Sequence, residues 1–165
     1  IGNIANETAR TSVMDFSNPY TLIDAHFLVR EDSKFQHNMN VDSSGVTVAA
    51  PERTAYDLWL TENLKKATIV RTQSMSEARE LFHSGITTVL AGLKPALMEE
   101  VAENPQYKIL RPMFTSIKQA VGIRKNNPKA LAFLNEMIAD MISSGFIYDS
   151  LKRHRMQDKL TVASQ

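Results

Sequence analysis

Short apolar runs of strand length alternate with segments of helical periodicity along nearly all of this 165-residue chain, and few folds accommodate that alternation. Residues 25–29, 46–50, 67–71, 87–90, 107–110 and 117–123 are aliphatic-rich and mostly lack a clean polar–apolar alternation. Strands of that kind are covered on both faces. The helices between them have readable ends. Pro51 is placed to open one, with Tyr56, Trp59, Leu60 and Leu64 on one face and Lys65 and Lys66 at its negative end. Ser74-Met75-Ser76-Glu77 is a capping box ahead of Ala78, Leu81 and Phe82, and Gly85 is a natural stop. Leu97, Met98 and Val101 predict a shorter helix before Asn104-Pro105. The longest helix is expected over 128–144, capped by Asn127 and carrying Leu131, Leu134, Met137, Ile138, Met141 and Ile142 as one wide stripe. Gly145 ends it, and a short helix follows over 146–153. Strands alternating with helices of this length mean βαβ units and a mainly parallel sheet, hence an α/β fold. Residues 31–45, polar and rich in Asn and Ser, read as a loop or lid, and 157–165 as a frayed tail.

Bulk composition removes whole classes of function. The 19 basic and 18 acidic residues give a net charge of +1, so no basic field implies nucleic acid. No apolar run approaches the length of a membrane span. The chain opens Ile1-Gly2-Asn3, as either a processed secreted protein or an internal segment of a longer one would, and it contains no cysteine. Zero Cys excludes a disulfide scaffold and thiolate metal sites but fits either redox compartment. Catalytic patterns are thin. His26, His37, His83 and His154 are scattered without metal spacing, and neither a Gly-x-Ser-x-Gly motif nor a phosphate-binding glycine loop is present. Glu99, Glu100 and Asp140 read as solvated helix-face carboxylates, and His83 as a favourable contact at a helix end. No metal or cofactor is implied.

Arg10 precedes Asp15-Phe16-Ser17-Asn18-Pro19-Tyr20, which leads into the apolar run of the first strand candidate. A second distinctive segment is Pro51-Glu52-Arg53-Thr54-Ala55-Tyr56-Asp57-Leu58-Trp59-Leu60. Together they resemble the family 3 extracellular solute-binding proteins, the soluble receptors of ABC importers. The resemblance implies a type II periplasmic binding fold. Because the first motif lies well inside the chain in that family, it also implies N-terminal truncation. The expected parts are a first-lobe remnant with a hinge strand (1–30), a second three-layer α/β/α lobe (31–116), a returning hinge strand with C-terminal helices (117–156), and a tail (157–165).

The same resemblance assigns a ligand site. Arg10 would clamp a ligand carboxylate through its planar fork. Upstream, the family's Gly-Met-Thr-Ile-Thr-x-Glu-Arg is replaced by Asn3-Ile4-Ala5-Asn6-Glu7-Thr8-Ala9-Arg10, which loses a ligand-holding hydroxyl at Ala5. The corner at Pro51 is either an anion site, with Glu52, Arg53 and Thr54 supplying contacts, or an ordinary helix start. At the end of the next strand but one the family commonly offers an Asp to the ligand ammonium. Here Ala91 and Gly92 stand instead, so a plain L-amino acid is not assumed, while Gly92 is expected to bring backbone close to the ligand. Thr115 and Gln119, on the second hinge strand, are placed to face the cleft.

The resulting expectation is an importer's substrate-binding component for a small polar, carboxylate-bearing solute, closing by lobe movement about its hinge. Its partners would be that solute and the importer's membrane subunits, and its location periplasmic or extracellular. One alternative is a cyclohexadienyl dehydratase-like enzyme with Glu52 as its acid. Another is a ligand-sensing domain of a larger regulator. If the first lobe is mostly absent, the stripe on the helix over 128–144 is left uncovered, and a homodimer through that helix and the hinge strands is expected.

Overall fold

The computed structural model of the chain describes residues 2–5 and 11–164, with side chains placed from residue 11 onward. It divides into two compact units, Asp24–Ser116 and Ile1–Ile23 with Ile117–Gln165. The chain passes between them within two ten-residue strands, β3 (Thr21–Arg30) and β8 (Thr115–Arg124). β1 (Gly2–Ala5) and β2 (Met14–Phe16) precede β3.

In the Asp24–Ser116 unit, β4 (Thr47–Pro51) pairs in parallel with both β5 (Thr68–Thr72) and β6 (Val89–Leu93). β3 runs antiparallel to β6 and to β7 (Tyr107–Ile109). The sheet is therefore mixed rather than mainly parallel. The reason lies in the connections. Helices α1 (Ala55–Asn63) and α2 (Met75–His83) return the chain for parallel pairing, whereas β3 reaches β4 through a stretch with no α-helix and so runs the opposite way.

Successive strand residues face opposite sides, and the two faces carry different cores. Leu28, Ala49 and Leu90 pack with Ala78 and Phe82 of α2, Leu97 of α3 (Lys94–Glu103), and Tyr107. One residue earlier, Phe27 stacks on Phe114 with ring centroids 4.3 Å apart, and Phe114 meets Trp59 of α1 at 5.0 Å. Helices thus cover both faces of the sheet.

Local signals set most helix ends, with two revisions at α1, the first being that it stops at Asn63, so Leu64, Lys65 and Lys66 lie beyond its last turn. Ser74 caps α2 by accepting from the Glu77 N–H, and Glu77 reaches back to the Gln73 N–H at 2.8 Å. Pro51 does not open α1; it ends β4, and Thr54 is the cap, accepting from the Asp57 N–H. Three further residues let the chain turn at the strand end before the helix begins. Residues 31–45 form a loop with a single 3-10 turn at Asn38–Asn40, and it is anchored to its unit. Phe35 and Val41 are buried, and Asp42 accepts from the N–H groups of Lys65, Lys66 and Ala67 at 2.7–3.0 Å. Those donors, led by Ala67, hold the Asp42 carboxyl below the usual carboxylate range.

In the second unit β8 pairs antiparallel with β1 and β2. α4 (Pro128–Ser143) starts at Asn127, whose side chain accepts from the Ala130 N–H. It breaks into α5 (Phe146–Arg153) at Gly145, φ 79°, through a 67° bend. Among the described residues no single helix is long and apolar enough to cross a membrane. Two expectations fail in this unit. The tail is not frayed: Thr161–Val162 forms β9 against Thr21 and Leu22, and Ala163 is buried with its N–H donating to the Tyr20 carbonyl. The α4 stripe is not left bare. Leu134 and Ile138 are buried, Leu131, Met141 and Ile142 half-buried, and the exposed apolar groups are Met137 together with Phe133 and Phe146.

Candidate functional site

In α/β sheets the carboxyl ends of parallel strands, where helices begin, are the usual place for ligands. In the Asp24–Ser116 unit those ends are the β4–α1, β5–α2 and β6–α3 corners, of which the first two adjoin. The register pairs Pro51 with Thr72, and the Glu52 N–H donates to the Thr72 carbonyl at 2.9 Å, which locks the two corners side by side. Gln73 Nε2 then donates to Glu52 Oε1 at 3.3 Å. Arg53 takes a left-handed conformation, φ 60°, and its side chain is 89% exposed, with Nε 3.8 Å from Glu52 Oε1. An exposed guanidinium at such a corner, held only loosely by Glu52, can grip a carboxylate.

Part of the corner's anion-binding capacity is already used by the chain itself. Asp57, in the first turn of α1 and 5% exposed, accepts from the Arg53 N–H at 3.0 Å and from Arg71 Nε at 2.9 Å. Arg71 Nη2 also donates to Thr61 Oγ1 at 2.7 Å. Thr54 Oγ1 accepts from the Asp57 N–H and donates to the Pro51 carbonyl, so its hydroxyl serves the cap. An internal carboxylate at the positive end of a helix offsets the dipole that would otherwise favour a bound anion. The side chain of Arg53 remains the outward-facing cation of this corner.

The other predicted residues are dispersed. Arg10 lies outside the described residues. Gly92 is buried opposite His26 in the β3–β6 ladder. A Cβ there would stand 2.9 Å from Leu97 Cδ2 and from Met75 Cε, so close helix packing accounts for the glycine. Thr115 and Gln119 are both half-buried on β8 but fall in different units, and the Gln119 carbonyl accepts from the Tyr20 N–H at 3.0 Å. Glu52 is half-buried between Gln73 and Arg53.

Two buried acids escaped the sequence reading. Asp57 was read only as one residue of the Pro51–Leu60 motif, with no role of its own. Glu100, expected to be solvated, is 3% exposed on α3. Its Oε1 lies 2.6 Å from His83 Nε2 and accepts from Asn104 Nδ2 at 2.8 Å, and its Oε2 lies 3.0 Å from Arg79 Nε in a charge contact not aligned as a hydrogen bond. His83 therefore answers a carboxylate and not merely a helix end. A signal existed: Glu100 follows Leu97 by three residues, on the buried stripe.

His26 is 7% exposed, with Nδ1 3.0 Å from the Leu110 carbonyl and Nε2 without a hydrogen-bond partner among the described residues. Burial lowers its pKa below the ordinary 6.5, against the Leu110 hydrogen bond that raises it. The neutral ring is therefore favoured in the folded state. Its contribution to stability is complete above about pH 6.5 and declines as pH falls from there to the folded-state value. We expect urea midpoints measured between pH 5 and 8 to fall on the acid side, and His26→Asn to flatten that slope. An unchanged slope in the variant would refute the assignment.

The mixed sheet covered on both faces, with helix starts at its strand ends, is the α/β architecture shared with type II periplasmic-binding structures that superpose on this chain. The chain belongs to the bacterial extracellular solute-binding proteins, family 3, whose family model matches residues 1–156. It is 26% identical over 147 residues to the L-cystine-binding protein TcyJ of Escherichia coli K12, covering 88% of this chain and 55% of that protein. The chain thus spans about half the length of the curated relatives it matches. Among solved structures, a solute receptor for L-cysteine from Neisseria gonorrhoeae superposes with a TM-score of 0.79 at 17% identity, over 99% of this chain and 69% of that one. An ancestral amino-acid-binding protein described as a precursor of cyclohexadienyl dehydratase gives 0.73 at 23%, over 91% and 65%.

Proposed function

We propose that this chain serves as the solute-binding component of an ABC-type importer for a small, polar, carboxylate-bearing solute of the amino-acid class, outside the cytoplasmic membrane. The family match across residues 1–156 carries the reading. A relative that binds L-cystine and a structural neighbour that receives L-cysteine narrow the solute to amino acids and their derivatives. Arg53 is the proposed carboxylate contact in the Asp24–Ser116 unit, with Glu52 beside it and Thr115 in the same unit. Arg10 and Gln119 are candidate contacts within the other unit. Thr54 and Gly92 are left out, because the helix cap and close packing already account for them. The function is binding without turnover, and the paired passages of the chain through β3 and β8 act as the hinge. Homodimer formation through α4 belongs to the same proposal, with Phe133, Met137 and Phe146 as its apolar contacts.

Calorimetric titration with L-cystine, L-cysteine, L-arginine and L-lysine tests the reading. At least one should bind with 1:1 stoichiometry, and Arg53→Ala should weaken it about tenfold or more, the cost of a charge-assisted contact. Failure of all four, with no retained small-molecule mass in native mass spectrometry, would overturn it. Turnover of prephenate or arogenate would replace it with the dehydratase. A monodisperse monomer in light scattering would remove the dimer alone.

A further inference from the structure

At the end of the Asp24–Ser116 unit away from the β4–α1 corner, a pocket of about 230 Å³ is lined by Arg30, Asp32, Ser33, Lys34, Phe35, Gly85, Thr87 and Thr88. It lies where β3 ends and the turn before β6 begins, so its residues come from two loops fixed by one antiparallel strand pair. Thr87 is 2% exposed, and its Oγ1 has no hydrogen-bond partner among the described residues. A buried hydroxyl left unpaired is destabilising, so its place in the wall of a pocket needs a reason.

The surrounding donors supply one. Three backbone amides of this turn are already used: Gly85 N–H by the Phe82 carbonyl, Thr87 N–H by the Leu81 carbonyl, and Thr88 N–H by Thr47 Oγ1. Side chains supply further donors. Arg30 spends one N–H on the His83 carbonyl at 3.5 Å, leaving most of its fork available, and its guanidinium sits 6.0 Å from the Tyr107 ring centroid. Ser33 Oγ accepts from the Phe35 N–H at 3.2 Å and keeps its own proton to give. The Lys34 ammonium lies 5.6 Å from the Phe35 ring centroid. Gly85, φ 78°, adds no side chain beside Arg30 Nη2. Two cations against Asp32 leave a net positive wall. The volume is below the range of pockets for drug-sized ligands and suits a compact ion.

We propose that this pocket binds a small free oxyanion of the phosphate or sulfate class, held by Arg30, Lys34, Ser33 and the otherwise unpaired Thr87 hydroxyl. The site is separate from the solute corner and does not depend on the importer reading.

The test is an amide-resolved NMR titration of the full chain with inorganic phosphate, against sodium chloride at equal ionic strength. Saturable shifts at Ser33, Gly85, Thr87 and Thr88 are expected with phosphate only. Thr87→Val, which keeps the shape and removes the hydroxyl, should weaken binding tenfold or more. Without phosphate it should raise the melting midpoint by about 2 °C or more, because an unsatisfied group is gone. Lys34→Gln, at an exposed position, should weaken binding without moving that midpoint. Equal shifts with chloride would overturn the proposal. So would unchanged phosphate affinity in both variants, or a lower midpoint for Thr87→Val.

Discussion

Phe82→Ala should lower stability by about 3–5 kcal/mol, the range for removing a fully buried aromatic ring. In a chain of this size that corresponds to a melting midpoint lower by about 6–20 °C. Phe82 is 1% exposed and packs in the cluster with Leu28, Ala49, Leu90, Leu97 and Tyr107. Its ring centroid lies 4.8 Å from that of Tyr107 at a tilt of 55°, a geometry with attraction beyond area burial. α2 has few other anchors, since Ala78 is its second buried residue. Loss of Phe82 thus releases the helix that carries the chain from β5 to β6. Thermal and urea unfolding would check it, and a loss under about 1 kcal/mol would mean the helix is held elsewhere.

Glu100→Gln should cost about 2 kcal/mol. Breaking a buried ion pair by removing one partner commonly costs 3–5 kcal/mol. The figure is reduced here because Arg79 and His83 keep side-chain exposures of 33% and 40% and regain water. Gln retains the shape and can still accept from Asn104, so the change isolates the charge. A double-mutant cycle with Arg79→Gln should return a coupling of about 1 kcal/mol or more, as expected for groups in one network. Additive effects would show that Arg79 and Glu100 are neighbours without energetic partnership.

These two predictions differ in how visible their residues are in the sequence. Phe82 stands with Ala78 and Leu81 after a capping box, and that local pattern alone placed it on a buried helix face. Glu100 has the composition of a surface residue. Its burial depends on α2 bringing Arg79 and His83 across to α3, a contact between elements that no local window contains. Asp57 hid in the same way: Arg71, fourteen residues later on β5, is what makes its burial tolerable. Thr54 was named as a ligand contact and serves as the cap of α1. Gly92 was named for close approach of a ligand, and close approach of Leu97 and Met75 is what the packing shows.

Short-range chemistry in the chain determined the kind and order of the elements: apolar runs for β3 to β8, caps at Ser74 and Asn127, and glycine stops at 85 and 145. The motifs around Asp15 and Pro51 determined the family. Tertiary structure alone decided the antiparallel place of β3, the pairing of Thr161–Val162 with the start of that strand, and which carboxylates leave water. Strand partners and buried charges are settled by which faces meet, and the meeting of faces is a property of the whole fold that nearest-neighbour sequence does not encode.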